Sequence, residues 1–150
     1  MKLIVALEED PVAAQVLRWA LEASGYEVIE AAGGERAVAL CSDPERKVDL
    51  LIANLRLSTP SGIEAALQVR ASTPELPLLF VSGTALEDWP DRDFAALPAL
   101  LSGRVSFLLK PFSMEALIAA VEKLLSPEFR IDDVRMEFQK AHLYRASRLP

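Results

Sequence analysis

Five short apolar runs punctuate the chain, and each is followed by apolar residues at helical spacing. The first, Leu3-Ile4-Val5-Ala6-Leu7, stops at Glu8-Glu9-Asp10-Pro11 and reads as a buried strand ending in carboxylates. Ala13, Val16, Leu17, Ala20 and Leu21 then mark one helical stripe. Pro11 suits its first turn and Gly25 its stop. Residues 26–30 read as a second strand, and Ala37, Val38 and Leu40 line a short helix behind Gly33-Gly34. Residues 49–54 form a third buried run ending on a polar residue, and a third helix starts near Gly62 and carries Ile63, Ala66, Leu67 and Val69 to about Ser72. Residues 77–82 and 105–110 are strands four and five. Ser113 stands where it would cap a last helix carrying Leu117, Ile118, Val121, Leu124 and Leu125. This alternation predicts an α/β, doubly wound fold. Its five-stranded parallel sheet takes the flavodoxin-like order 2-1-3-4-5, with two helices on one face and three on the other.

Two stretches break the rhythm. Residues 83–104 hold Pro90 and Pro98 around the apolar segment from Phe94 to Leu97, so a loop and a short or broken fourth helix are expected. In residues 127–150, Ile131, Val134, Phe138 and Ala141 recur at helical spacing, which predicts an amphipathic helix over about 130–146. The chain therefore divides into a domain over 1–126 and a C-terminal helical extension over 127–150. An isolated helix of that length is marginal in water and must dock. The expected surface is a second copy or a partner protein, because five helices already suffice to close the sheet.

Composition narrows the function. The chain has 150 residues, 51% of them apolar, which is enough for one self-sufficient core. Cys41 is the single cysteine, so a disulfide framework and a cysteine-rich zinc site are excluded. No basic neighbour activates it. The net charge of −6 argues against non-specific nucleic-acid binding. No apolar run approaches a membrane span, and Met1 opens directly on the first strand without a leader, so a cytoplasmic protein is expected. His142 stands alone in a charged segment and implies no metal site. Trp19 falls off the stripe of helix one, as a half-exposed side chain or as part of a docking face for the tail or a partner.

In an open parallel sheet, ligands bind beyond the carboxyl ends of the strands. The residues there are Glu8 and Glu9, Asn54, Ser82 and Lys110. With Asp10-Pro11, Gly25-Tyr26-Glu27-Val28, Asp49 to Arg56, Gly62-Ile63-Glu64, Phe80-Val81-Ser82-Gly83 and Phe107-Leu108-Leu109-Lys110-Pro111-Phe112, these segments give residues 1–126 a specific order of motifs. The chain resembles the receiver domain of bacterial two-component response regulators.

The resemblance implies a signalling domain rather than an enzyme. It implies a magnesium-holding acidic pair at Glu8 and Glu9 and a phosphoacceptor at position 54. Ser82 and Lys110 would be phosphoryl-pocket residues, Phe107 a switch aromatic, and the Lys110-Pro111 bond cis. The sequence departs from the pattern at the centre. Position 54 is Asn, and a neutral carboxamide is a very poor nucleophile. The Asn also takes one anionic ligand from magnesium, and the acidic pair is Glu-Glu where Asp is usual, so the longer side chains can reach Lys110. The expected function is a stand-alone, pseudo-receiver-type protein of a phosphorelay. It would act on a protein partner, such as a histidine kinase or a downstream effector, with a homodimer through the C-terminal helix as a further option. One alternative is an active phosphoacceptor using Glu8, Glu9 or an Asp form of position 54. The other is a small-molecule or nucleotide-binding protein. Acids stand after strand one where a phosphate would need a Gly-rich loop.

Overall fold

The apolar runs form β1 (Leu3–Leu7), β2 (Glu27–Ala31), β3 (Leu50–Asn54), β4 (Leu78–Ser82) and β5 (Val105–Leu109) in a computed structural model that describes residues 1–57 and 60–149. All neighbouring pairs are parallel and the order is β2-β1-β3-β4-β5, as the sequence predicts. Parallel strands must be covered on both faces. Helices α1 (Pro11–Ala23) and α5 (Met114–Leu125) cover one face, where Leu17, Leu21, Leu117 and Val121 pack on Ile4, Ile52, Leu79 and Val81. Helices α2 (Gly34–Ser42), α3 (Gly62–Ser72) and α4 (Asp91–Ala96) cover the other, where Leu40, Ile63, Val69 and Phe94 meet Val5, Leu51, Leu78 and Phe80.

Local chemistry starts these helices where the site needs them. Asp10 accepts the Val12 N–H at 3.0 Å and Pro11 fills the first turn, so the chain leaves β1 and enters α1 within three residues. Ser61 caps α3 through the Glu64 N–H, and Ser113 caps α5 through the Ala116 N–H. Gly25 ends α1 with φ at +93°, a conformation that side chains resist. Gly62 is required for a different reason. A Cβ there would lie 2.2 Å from the Asn54 carbonyl oxygen, so only glycine lets α3 begin against the end of β3.

The prolines cut α4 to six residues between 3₁₀ turns at Leu86–Asp88 and Leu97–Ala99. That short helix leaves room beside β5, and the C-terminal helix α6 (Ile131–Ser147) fills it. The helix forms where the periodicity predicts. Its docking surface corrects the sequence-based expectation. Val134 and Ala141 are buried on the chain's own domain, and Phe138 stacks on Phe94 at 4.8 Å. The face expected for a second copy or partner is therefore used internally. The tail does not dock on Trp19 either, because α1 lies on the opposite face of the sheet and Trp19 stays exposed. The turn into α6 is set by Arg104, whose guanidinium donates to the Leu124 carbonyl at 2.7 Å and to that of Ser126.

Gly62→Ala is expected to lower folding stability by about 1–3 kcal/mol, because backbone must move. Gly83→Ala, with open space around the added carbon, should change it by less than about 0.5 kcal/mol. Denaturant midpoints of the two variants check this. Equal midpoints would show that the α3–β3 approach is not tight.

Candidate functional site

Glu8 follows β1 directly and its N–H donates to Ala31 of β2 at 3.0 Å, which carries the side chain over the sheet end. Only 5% of Glu8 is exposed. A buried carboxylate must be paired and hydrogen-bonded or it is costly. Three elements supply its partners. The Asn54 carboxamide, at the end of β3, donates from Nδ2 to Oε1 at 2.9 Å and to Oε2 at 3.1 Å. Lys110, just after β5, brings Nζ to 3.5 Å from Oε1. The Asp10 N–H donates to Oε2 at 3.2 Å. The other end of the carboxamide, Asn54 Oδ1, accepts the Arg56 N–H at 3.3 Å. Asn54 is thus used on both sides.

Lys110 is aimed inward by its backbone. Its N–H donates to the Ser82 carbonyl at 2.8 Å, and the Lys110-Pro111 bond is cis, as the resemblance implies. Ser82 is buried at the end of β4, and its Oγ accepts the Thr84 N–H at 3.0 Å. Glu9 is exposed, on the solvent side of its neighbour. The expected Lys110 pair therefore forms with Glu8. The Asn54–Glu8 bond, the shorter contact, was not anticipated from sequence. The sequence around Asn54 gives no hint of its partner, since the two residues are 46 positions apart.

Magnesium prefers several hard oxygen donors in near-octahedral array. These residues do not fit that ion as arranged. Glu8 is already bound by an ammonium and a carboxamide nitrogen, and Asn54 turns its N–H groups, not its oxygen, toward the carboxylate. Among the described residues no group of three or more His, Cys, Asp or Glu gathers to hold a metal. Cys41 is buried, and burial pushes its thiol up to about 12, so it stays protonated. His142 stacks on Phe94 and Phe138.

Behind Ser82 lies an aromatic cluster. Phe107 is half-buried and stacks on Phe80 at 6.3 Å, while the Trp89 indole stands edge-on to both, at 5.4 and 5.9 Å. Trp89 is 2% exposed and is the residue that sequence reasoning missed. It sits in the proline-broken segment, where no periodicity marks it as core.

The sequence model of the response regulator receiver domain matches residues 4–122. The chain is 35% identical over 118 residues to the uncharacterized transcriptional regulatory protein YrkP of Bacillus subtilis, covering 79% of this chain and 47% of that protein. It spans about half the length, or less, of most of the curated relatives it matches. The chemotaxis protein CheY4 of Vibrio cholerae has the same fold, with a TM-score of 0.71 at 23% identity, covering 83% of this chain and 99% of that one. So does response regulator TrrA of Thermotoga maritima, solved with Mg²⁺ and BeF, with a TM-score of 0.69 at 24% identity, covering 83% of this chain and all of that one.

Asn54→Asp would set a second carboxylate about 3 Å from Glu8 in place of a donor. It is expected to destabilise the fold by about 1.5–3 kcal/mol, the worth of a hydrogen bond to a charged group. Millimolar magnesium should recover part of that loss in the variant and leave the unchanged chain's melting temperature where it is. A variant as stable as the parent without metal would contradict the geometry.

Proposed function

The chain belongs to the response regulator receiver family, and from that premise we propose that it is a two-component signalling domain whose pocket is set without phosphorylation. The observation that carries this reading is the bond network of Glu8, Asn54 and Lys110. Glu8 and Lys110 neutralise each other, and Asn54 fills the remaining need of the carboxylate with a neutral donor. The acceptor position thereby loses its nucleophile, since a carboxamide oxygen does not attack phosphorus at a useful rate. The same exchange removes one of the negative charges that would call for a divalent ion. The network that makes the position inert also makes it stable without metal.

In this reading, residues 1–126 are the receiver unit and 127–150 an extension that docks back on it. Ser82 and Lys110 keep their places as pocket residues, and Phe107 is the side chain that senses the pocket from the core. The chain works through contact with other proteins, a histidine kinase or a downstream effector, and not through turnover. The acidic balance of −6 supports protein contact over a nucleic-acid one. No helix among the described residues is long and apolar enough to cross a membrane.

The test is phosphoryl transfer from acetyl phosphate with magnesium. The unchanged chain is expected to take up no label, and Asn54→Asp to form a hydroxylamine-labile acyl phosphate. A stable acyl phosphate on the unchanged chain would place the acceptor on another carboxylate, such as Glu8 or Glu9, and overturn the reading.

A further inference from the structure

Three hydrogen bonds run in series from the strand-end pocket to α6. The Thr84 N–H donates to Ser82 Oγ at 3.0 Å. Trp89 Nε1–H donates to the Thr84 carbonyl at 3.1 Å. Arg145 on α6 then donates from Nη1 to the Trp89 carbonyl at 2.7 Å and to that of Glu87 at 3.1 Å. Arg145 is fixed from its other sides. Its guanidinium lies 4.3 Å from the centre of the Phe94 ring and pairs with Asp91. One turn on, Arg148 pairs with Asp88 at 3.0 Å.

The Arg148–Asp88 pair is an ordinary surface pair, but the hydrogen bonds of Ser82, Trp89 and Arg145 to backbone are not. Ser82 is 4% exposed, Trp89 2% and the Arg145 side chain 17%, so water competes poorly for them. They also meet at one loop, residues 83–89, which carries both the acceptor carbonyls for Arg145 and the N–H held by Ser82. The Trp89 ring ties that loop to Phe107 and Phe80. A cavity of about 410 Å³ lies between the loop, β5 and α6, with Thr84, Phe107 and Tyr144 in its walls. The loop therefore has space to shift.

We infer that this series is a latch: the hydrogen bond of Ser82 in the pocket and the docking of α6 are thermodynamically coupled through Thr84, Trp89 and Arg145. When Ser82 Oγ gives up the Thr84 N–H, the 83–89 loop loses its anchor and the carbonyls that hold Arg145 move with it. The converse follows by reciprocity. Release of α6 frees the loop and with it the Ser82 hydroxyl. The latch makes α6 the element that reads the pocket, and the apolar face docked on the domain is its retracted position.

The inference rests on the receiver reading only in naming the pocket as the upstream end. Amide hydrogen exchange of the full chain reports the coupling whether or not phosphoryl transfer occurs, so the two fail separately. Ser82→Ala removes the first link without a contact to α6. It is expected to raise exchange of the α6 amides of residues 135–145 by roughly 5- to 30-fold, the factor for one or two kcal/mol, while amides of β1 and β3 keep their rates. Ser82→Thr, which retains the hydroxyl, should restore the parent pattern. In the other direction, Arg145→Ala should speed exchange at Thr84. Trp89→Phe keeps the aromatic cluster but removes the indole donor, and should loosen α6 as Ser82→Ala does. Unchanged α6 exchange in Ser82→Ala and Trp89→Phe, or a rise shared equally by β1 and β3, would overturn the latch.

Discussion

A carboxylate buried at the end of the first strand is the constraint that organises this molecule. Glu8 cannot sit under the surface as an unpaired charge, because desolvation would cost several kcal/mol. The parallel sheet solves this by bringing the ends of β3 and β5 beside β1's exit. The carboxamide of Asn54 and the ammonium of Lys110 then converge on the same two oxygens. The strand order matters here: β3 is the immediate neighbour of β1, and Asn54 is its last residue. Lys110 arrives from two strands further out and reaches in with its long stem. Gly62 adds the last piece, since its bare backbone lets α3 start against Asn54 without pushing it away.

The same sheet end is linked to its far side. The prolines that shorten α4 leave β5 and Phe94 needing cover, and α6 supplies it with Phe138, Val134 and Ala141. The polar half of α6 is as specific as the apolar half. Arg135 donates to the Leu101 carbonyl at 3.1 Å, and Arg145 and Arg148 hold the 87–91 segment. A helix whose apolar face is narrow is thus held by arginines on backbone carbonyls. That mode is directional.

Much of this was legible in the sequence. Five runs of β-type residues with helices between them leave few topologies, and the strand-end residues Glu8, Asn54, Ser82 and Lys110 follow from where those runs stop. The start of α1 was legible because Asp10 and Pro11 act locally. What could not be read were the interactions between distant segments. Nothing in the neighbourhood of Asn54 tells that its partner is Glu8. Arg70, 8% exposed, looks like a solvent-facing residue in α3, yet it donates to the carbonyls of Leu76, Leu100 and Arg104. Trp89 hides among prolines. The destination of α6 is not readable either: the two prolines mark α4 as short, but how much of β5 and Phe94 that leaves bare depends on packing between distant segments.

The central claim is that a carboxamide, not a metal ion, completes the pairing of Glu8. The most direct measurement is the side-chain amide resonance pair of Asn54 in the unchanged chain, followed by NMR during a magnesium titration and in Glu8→Gln. The account predicts a resonance pair displaced from the free carboxamide position, protected from solvent exchange, insensitive to millimolar magnesium and shifted in Glu8→Gln. A pair at the free position that moves as magnesium is added would contradict it.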